Sequence, residues 1–299
     1  MIGSGRRQSL SPGEMFPAGE PDYRVSFPRL RSGIMIRVVE RGDPASPAVV
    51  LVHGWGCSAY TFHRNMPALA EAGFRAIAVD LKGHGLSDKP VASEDYTIDS
   101  LIEHLRDILD ALELERPALA GHSLGGSLLY HFASRYPGRA RCLGLLSPVG
   151  LTGVSLMRLY RFLTPAVLTP ILRQVKPRVV VKLALTRVYG KRGHFTARDV
   201  EEYVAPSQFP EFAVAMRALL HNYDWRSADH RRLTAVSLPA AGVWGTLDHL
   251  MPADGMAMYV GLLPRIVLRA IPDAGHIITE ETPDEVNEAL IALLRRAGV

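Results

Sequence analysis

The chain has 299 residues, of which 47% are hydrophobic and 21% are charged, and its formal net charge is +4. This composition is typical of a globular protein with enough apolar surface for a core, and the length allows one large domain or two average ones. The mild excess of basic residues is not gathered in a recognisable nucleic-acid-binding module, so no nucleic-acid partner is expected.

The first twenty residues are rich in Gly, Ser and Pro and contain no apolar segment of signal-peptide length. We therefore expect residues 1–20 to form a disordered tail. No later stretch reaches the roughly 18 consecutive apolar residues of a transmembrane helix. The two cysteines, Cys57 and Cys142, are too few for a disulfide framework or a metal-ligand set, and two free thiols fit a reducing compartment. These features predict a soluble cytoplasmic protein.

Between residues 23 and 146 the sequence predicts a hairpin followed by alternating strands and helices. Two β-rich segments separated by Arg31-Ser32-Gly33 predict the hairpin, and the continuous apolar run Ala48–His53 is typical of a strand buried on both faces. The alternation predicts an α/β fold with a mostly parallel, twisted sheet flanked by helices. The predicted strands are Tyr23–Phe27, Ile34–Glu40, Ala48–His53, Phe74–Asp80, Pro117–Gly121 and Cys142–Leu146, and the predicted helices are Tyr60–Ala72, Asp99–Leu112 and Leu124–Tyr136.

The alternation stops near Gly150, and the apolar runs up to about Arg232 look helical and are interrupted by prolines. This change predicts one α/β core domain, formed by residues 21–149 and 236–299, with a helical cap of residues 150–235 inserted after the sixth strand. The core resumes with the predicted elements Ala240–Trp244, a helix near Ala253–Gly261, Ile266–Ile271 and Pro283–Arg296.

The sequence Gly121-His122-Ser123-Leu124-Gly125 matches G-x-S-x-G and lies between a predicted strand and a predicted helix, which is the context that this motif requires. A sharp strand-to-helix turn holds the serine in a strained conformation, and small flanking residues let the backbones pass. The hydroxyl then projects beside a helix N-terminus, which favours the negative charge that develops during acyl transfer. Ser123 is therefore the candidate nucleophile, and Gly121, His122 and Gly125 support the turn.

A second glycine-rich loop predicts an oxyanion hole. His53-Gly54-Trp55-Gly56 comes directly after the third strand, where such a loop offers one backbone N–H while the residue after the nucleophile offers the other. The predicted donors are the backbone N–H groups of Trp55 and Leu124, with His53, Gly54 and Gly56 as supporting residues.

The acid and the base follow the last two strands. Asp248 follows the strand that ends at Trp244, and His276 follows the final strand. The chain order Ser, Asp, His is the order used by this strand–turn–helix nucleophile. Each candidate also lies just past the carboxyl end of a strand, where open α/β sheets place their ligands.

These motifs together resemble those of the α/β-hydrolase superfamily, in the esterase/lipase-like branch that carries a helical cap. The segment Asp80–Asp88 is similar to that branch's D-x-x-G-x-G-x-S loop, and the resemblance extends from about Tyr23 to the C-terminus. It implies the α/β-hydrolase fold and a catalytic triad of Ser123, Asp248 and His276.

Other residues compete for these roles. His53, His122 and His84 lie in the glycine-rich loops and at the elbow, where structural roles are favoured, whereas only His276 follows the last strand. Cys57 lacks the elbow context and is interpreted as a packed loop thiol.

The acid has one rival in sequence. Asp273 lies in the turn three residues before His276 and is less favoured than Asp248. A second known location for the acid in this superfamily, after the sixth strand, corresponds here to Ser147-Pro148-Val149-Gly150, which has no carboxylate.

A serine at the elbow narrows the reaction. Haloalkane dehalogenases and epoxide hydrolases of this branch use an aspartate there to attack an alkyl carbon, whereas an activated serine suits acyl carbons. We therefore predict a carboxylic-ester hydrolase that acts on a small-molecule or lipid-like hydrophobic acyl substrate, without metal or cofactor. A thioester or carbon–carbon bond hydrolase remains an alternative, although the latter enzymes typically carry an aromatic residue where this chain has Ile277. A non-catalytic ligand-binding or accessory protein is the third alternative.

The predicted cap is basic. The sequence contains no Asp or Glu from Arg116 through Arg198, and the cap's basic residues are interleaved with apolar ones. Such a cap is suited to peripheral contact with an anionic membrane or to guiding an amphipathic acyl substrate. The alternative is a cap packed on the core with its arginines solvated. The sequence leaves the oligomeric state open.

Overall fold

The computed structural model of the protein describes residues 9–149, 155–165, 177–225, 236–251 and 253–299. In these residues eight strands form one sheet in the order β1-β2-β4-β3-β5-β6-β7-β8. The pairs β1–β2 and β2–β4 are antiparallel and the other pairs are parallel. The strands are β1 Tyr23–Ser26, β2 Val38–Arg41, β3 Ala48–Val52, β4 Arg75–Val79, β5 Ala118–His122, β6 Leu143–Leu146, β7 Ala240–Gly245 and β8 Ile266–Ile271. The predicted hairpin and mostly parallel sheet are confirmed.

Helices follow the parallel strands, and several more lie between β6 and β7. The helix α2 begins after Thr97, whose side chain accepts a hydrogen bond from the N–H of Ser100, and its apolar side chains face the sheet. The described α-helices are α1 Met66–Glu71, α2 Ile98–Ala111, α3 Leu124–Arg135, α4 Ser155–Leu163, α5 Pro177–Val188, α6 Ala197–Val204, α7 Phe212–Asn222, α8 Ala253–Leu262, α9 Ile278–Glu281 and α10 Pro283–Arg296.

The core lies on both faces of the sheet. Alternate residues of β3 belong to different apolar clusters: Val50 and Val52 pack on the face covered by α2 and α3, and Val49 and Leu51 on the face covered by α1 and α10. The strand is thus buried on both sides, as its continuous apolar sequence predicts.

We refer to α4–α7 as the insertion helices. They lie in the stretch predicted to form the cap, whose predicted limits at residues 150 and 235 fall outside the described residues. Part of their apolar surface is exposed, most of all Phe162 on α4 at 81% and Leu183 on α5 at 61%. None of the helices in the described residues combines the length and hydropathy that crossing a membrane requires.

One predicted strand and one predicted helix differ from the structure. The strand predicted over Ile34–Glu40 is shorter, because β2 begins at Val38. The helix predicted over Tyr60–Ala72 is divided into a 3₁₀ turn, Ala59–Phe62, and α1. The division is explained by Pro67, which lacks the N–H that a continuous helix needs and is favoured at a helix start.

The predicted disordered tail is wrong for residues 9–20, while residues 1–8 lie outside the described residues. Met15 and Phe16 are buried, and the 3₁₀ turn Pro12–Glu14 precedes them. The Phe16 N–H donates to Glu202 Oε1 at 2.8 Å, and the Phe16 carbonyl accepts from Arg37 Nη1 at 3.1 Å. The burial of two adjacent apolar side chains, together with these hydrogen bonds, holds the segment against the protein despite its Gly- and Pro-rich composition.

Candidate active site

Ser123 occupies the tight turn between β5 and α3. Its backbone has φ 54° and ψ −117°, a sparsely populated region for a residue with a side chain. The neighbouring glycines explain how the turn closes. A Cβ on Gly125 would lie 2.1 Å from the carbonyl oxygen of Val52, and one on Gly121 would lie 2.5 Å from the carbonyl carbon of Gly125. The turn therefore needs glycine at both positions.

The structure brings together the three residues of the predicted triad. His276 Nε2 lies 2.8 Å from Ser123 Oγ, and His276 Nδ1 lies 2.7 Å from Asp248 Oδ2. All three residues are buried. Because the carboxylate accepts the hydrogen bond from Nδ1–H, the Nε2 lone pair faces the serine hydroxyl and is placed to accept its proton.

Asp248 is held as an ionised acceptor. Its Oδ1 accepts hydrogen bonds from the backbone N–H groups of Leu250 at 2.8 Å and Met251 at 2.9 Å, while Oδ2 is bound to His276. Burial by itself raises the pKa of Asp248, but the interaction with His276 and the two N–H bonds outweigh it and lower the pKa below its ordinary value. The group is thus suited to fix the tautomer of His276.

The competing candidates lie elsewhere. Asp273 is at the surface, where its side chain is 58% exposed and its carboxylate lies 3.8 Å from Lys191 Nζ. Cys57 is buried, and burial raises the pKa of its thiol to about 12, so it stays protonated at neutral pH. Neither group competes for the position beside His276.

The loop predicted to supply an oxyanion donor passes directly beside the elbow. A Cβ on Gly54 would lie 3.0 Å from the Cβ of Ser123, and Gly56 has φ 74°, a left-handed conformation that favours glycine. The indole Nε1–H of Trp55 donates to the carbonyl of Met216 on α7 at 3.2 Å, which joins this loop to the insertion helices.

Leu124 is the first residue of α3, so its N–H has no partner within the helix and is directed at the end of the sheet where Ser123 lies. The neighbouring strands β3 and β5 pair in register, Val52 opposite Gly121. They lie where the strand order reverses, which is the usual ligand position in such sheets. The roles of Trp55 and Leu124 as oxyanion donors remain predictions.

His53 and His122 support the two loops by hydrogen bonds. His53 Nε2 accepts from the N–H of Leu81 at 3.0 Å, so its Nδ1–H donates to the carbonyl of Gly54 at 2.7 Å. His122 Nε2 lies 2.9 Å from the carbonyl of His276. Burial lowers the pKa of His53, and burial together with the nearby His276 lowers the pKa of His122 to about 3. Both rings are neutral at pH 7 and hold backbone rather than moving protons.

Sequence reasoning missed Glu281. Its carboxylate accepts a hydrogen bond from the N–H of Gly275, the residue before His276, at 2.7 Å. A glutamate in a short polar segment carries no sequence signal of burial, because its partners come from distant parts of the chain. Among the described residues, no three His, Cys, Asp or Glu side chains are grouped as a metal site would require.

Comparison with known proteins gives consistent matches. A family model described as the alpha/beta hydrolase fold matches residues 47–283. An uncharacterized protein of Mycobacterium tuberculosis is 31% identical over 290 residues, covering 85% of this chain and 82% of that protein. A 2-hydroxy-6-oxononadienedioate/2-hydroxy-6-oxononatrienedioate hydrolase of Burkholderia vietnamiensis is 29% identical, covering 83% of this chain and 87% of that protein.

A solved structure, Cfl2 from Burkholderia cenocepacia, matches with a TM-score of 0.78 and 28% identity over 92% of this chain and 95% of that one. Epoxide hydrolase A of Mycobacterium tuberculosis is a further relative, 25% identical over 88% of this chain and 95% of that protein. The two matched proteins that are named for a reaction, a dienedioate/trienedioate hydrolase and an epoxide hydrolase, are named for different substrates.

Proposed function

The chain belongs to the α/β-hydrolase fold family, and from this membership and its site geometry we propose that it is a serine hydrolase that cleaves a carboxylic ester. The resemblance predicted from the motifs is thereby confirmed at the level of the family. The observation that carries the proposed activity is the hydrogen-bonded chain from Asp248 through His276 to Ser123, with distances of 2.7 and 2.8 Å.

The proposed reaction has two halves. His276 Nε2 accepts the proton of Ser123 while Oγ bonds to the acyl carbon, and the N–H groups of Trp55 and Leu124 stabilise the oxyanion. The carbon–oxygen bond to the alcohol then breaks, and the alcohol takes the proton from His276. In the second half His276 removes a proton from water, the hydroxide attacks the acyl-enzyme, and Ser123 regains its proton as the acid leaves. Asp248 stabilises the charged imidazole in both halves.

The nucleophile supports an acyl substrate over an epoxide. Displacement at an epoxide carbon by a carboxylate gives an ester intermediate that water can hydrolyse at its acyl carbon. Serine at the same position would give a stable ether with no such exit. The chain is therefore similar to an epoxide hydrolase in sequence, but its serine favours a different reaction.

Cleavage of a carbon–carbon bond is the second candidate, because a relative named for the hydrolysis of dienedioates covers most of this chain. The residue that follows His276 is Ile277, which is buried. Carbon–carbon bond hydrolases of this family typically carry an aromatic residue at this position, so the sequence favours ester hydrolysis over this candidate. Hydrolysis of a thioester is a third candidate, because it uses the same triad and differs only in the leaving group.

The decisive experiment pairs a covalent probe with a substrate panel. A fluorophosphonate probe is expected to label the wild-type protein, and Ser123→Ala, with unchanged thermal unfolding, is expected to abolish labelling and to lower kcat by about 10⁴- to 10⁶-fold. No labelling of folded wild-type protein would favour a non-catalytic binding role. Rates on p-nitrophenyl esters, acyl thioesters and vinylogous diketo acids then separate the three bond types. A diketo acid as the best substrate would replace ester hydrolysis by carbon–carbon cleavage.

A further inference from the structure

The backbone of His276 is bound to the insertion helices. The His276 N–H donates to the carbonyl of Val188 at 2.6 Å, and the N–H of Ile277 donates to the same oxygen at 3.3 Å. Val188 is the last residue of α5. The loop that carries the base therefore takes two of its main-chain hydrogen bonds from an element that lies outside the sheet.

A buried carboxylate fastens the same two segments. Glu281 on α9 is 6% exposed, and it accepts hydrogen bonds from the backbone N–H of Gly275 at 2.7 Å, of Gly190 at 3.0 Å and of Arg192 at 2.9 Å. One N–H belongs to the histidine loop and two belong to the chain that continues from α5. Hydrogen bonds to a carboxylate are stronger than those between neutral groups. Glu281 therefore binds the histidine loop firmly to the segment that follows α5.

Glycines allow the two backbones to touch at this junction. A Cβ on Gly190 would lie 2.5 Å from the carbonyl oxygen of Asp273 and 2.5 Å from the N of Gly275. A Cβ on Gly275 would in turn lie 2.3 Å from the carbonyl oxygen of Val188. Contact this close needs glycine on both sides, so the junction tolerates little displacement.

From these contacts we propose that Glu281 is a positioning residue: it locks the segment after α5 to the histidine loop and so sets the placement of His276 against Ser123. The proposal rests on the serine-hydrolase function proposed above. Glu281 itself does not touch the serine or the acid. Its effect is geometric, because a displacement of about 1 Å at a reacting group can lower a rate by about 10²-fold.

Glu281→Gln is the sharpest test, because the amide keeps the size of the side chain and replaces one accepting oxygen by a donor. Either Gly275 or Arg192 must then lose its acceptor. We expect kcat to fall by about 10- to 100-fold with KM changed less than about twofold. The matched control is Glu285→Gln. It removes a carboxylate that binds the side chain of Arg192 at 2.6 Å and is expected to leave kcat near the wild-type value.

A second variant changes the segment that follows α5 instead of Glu281. Gly190→Ala places a methyl group against the histidine loop without changing the carboxylate, and it is expected to show the same selective loss of kcat. Gly138→Ala is its control, because a Cβ there meets no atom within 4 Å. All rates are compared at a temperature where circular dichroism shows each variant folded. If Glu281→Gln does not fold, Gly190→Ala decides the question.

One readout does not depend on activity. The proton between His276 Nδ1 and Asp248 gives a downfield NMR signal, and we expect it to broaden or shift in Glu281→Gln but not in Glu285→Gln. An unchanged signal together with a kcat equal to that of the control would overturn the positioning role. If the wild-type protein is not labelled by the fluorophosphonate, the proposed function fails, and this signal still decides whether Glu281 places the histidine.

Discussion

Replacing Glu280 by glutamine is expected to stabilise the protein increasingly as the pH rises from 5 to 8. Glu280 is fully buried and directly precedes Glu281, the proposed positioning residue. Its carboxyl oxygens are hydrogen-bonded by the hydroxyl groups of Tyr203 and Tyr189, the latter at 2.9 Å. Burial raises the pKa of Glu280 to about 8, so the folded protein holds this group protonated at neutral pH. Glutamine has the shape and neutrality of that protonated form.

The size of the effect follows from the proton balance. The ordinary pKa of a glutamate is 4.5, and the pKa in the folded protein is about 8. Between these values the folded state binds a proton that the unfolded state has released, so the free energy of unfolding falls as pH rises. A tenfold change in an acid dissociation constant corresponds to about 1.4 kcal/mol, so the loss is about 5 kcal/mol on passing from below pH 4.5 to above pH 8. The loss is absent at low pH and absent from Glu280→Gln.

Urea unfolding of both proteins at pH 5, 6, 7 and 8 measures this loss as a difference that grows with pH. The hydrogen bond from Tyr203 lowers the pKa of Glu280, so Tyr203→Phe is expected to raise that pKa further. In this variant the stability of the protein should continue to fall above pH 8. Parallel pH curves for the wild type and Glu280→Gln would refute the assignment of a buried neutral carboxyl at this position.

Three further predictions concern the triad, the elbow and the insertion helices. Asp248→Asn should lower kcat about 10⁴-fold by favouring the wrong tautomer of the histidine, and a larger loss in Asp273→Asn would mean that the wrong carboxylate was chosen. Gly125→Ala should lower stability by more than about 4 kcal/mol in thermal unfolding, because its Cβ would lie 2.1 Å from a backbone oxygen; a native-like melting temperature would contradict this. Co-sedimentation with anionic vesicles should exceed that with neutral ones, weaken at 1 M salt and weaken in Phe162→Ser, whose native side chain is 81% exposed. Equal binding to both vesicle types would reject membrane contact.

Most of the core could be predicted from sequence, because its signals are local. Within the predicted strand Ala48–His53, residues 48–52 are all apolar because β3 is covered on both faces. Pro283–Arg296 is predicted with the bounds of α10 because a proline and acidic residues begin that helix and arginines end it. The prediction of a disordered tail was wrong for residues 9–20 because the contacts that order this segment are not local. The burial of Phe16 depends on Arg37 and Glu202, which are far from it in sequence.

The same distinction divides the site. Ser123 was predictable because the residues that force its turn lie within two positions of it. Asp248 and His276 were predictable because each follows a strand, and parallel strands end at one edge of the sheet. Glu281 was not predictable, since the backbone groups that it binds belong to residues whose proximity only the folded chain creates.

Different parts of the chain hold Ser123 and His276 in place. The proposed nucleophile is fixed within the core: Ser123 lies between β5 and α3, and its N–H donates to the carbonyl of Leu146 on β6 at 2.9 Å. The base is fixed from outside, because the main chain of His276 is bound to Val188 and, through Glu281, to the segment that follows α5. A movement of α5 therefore changes the distance between His276 Nε2 and Ser123 Oγ by moving the histidine, not the serine. Since proton transfer requires these atoms at about 2.6–3.2 Å, the seating of the insertion on the core is itself a condition for catalysis in the proposed mechanism.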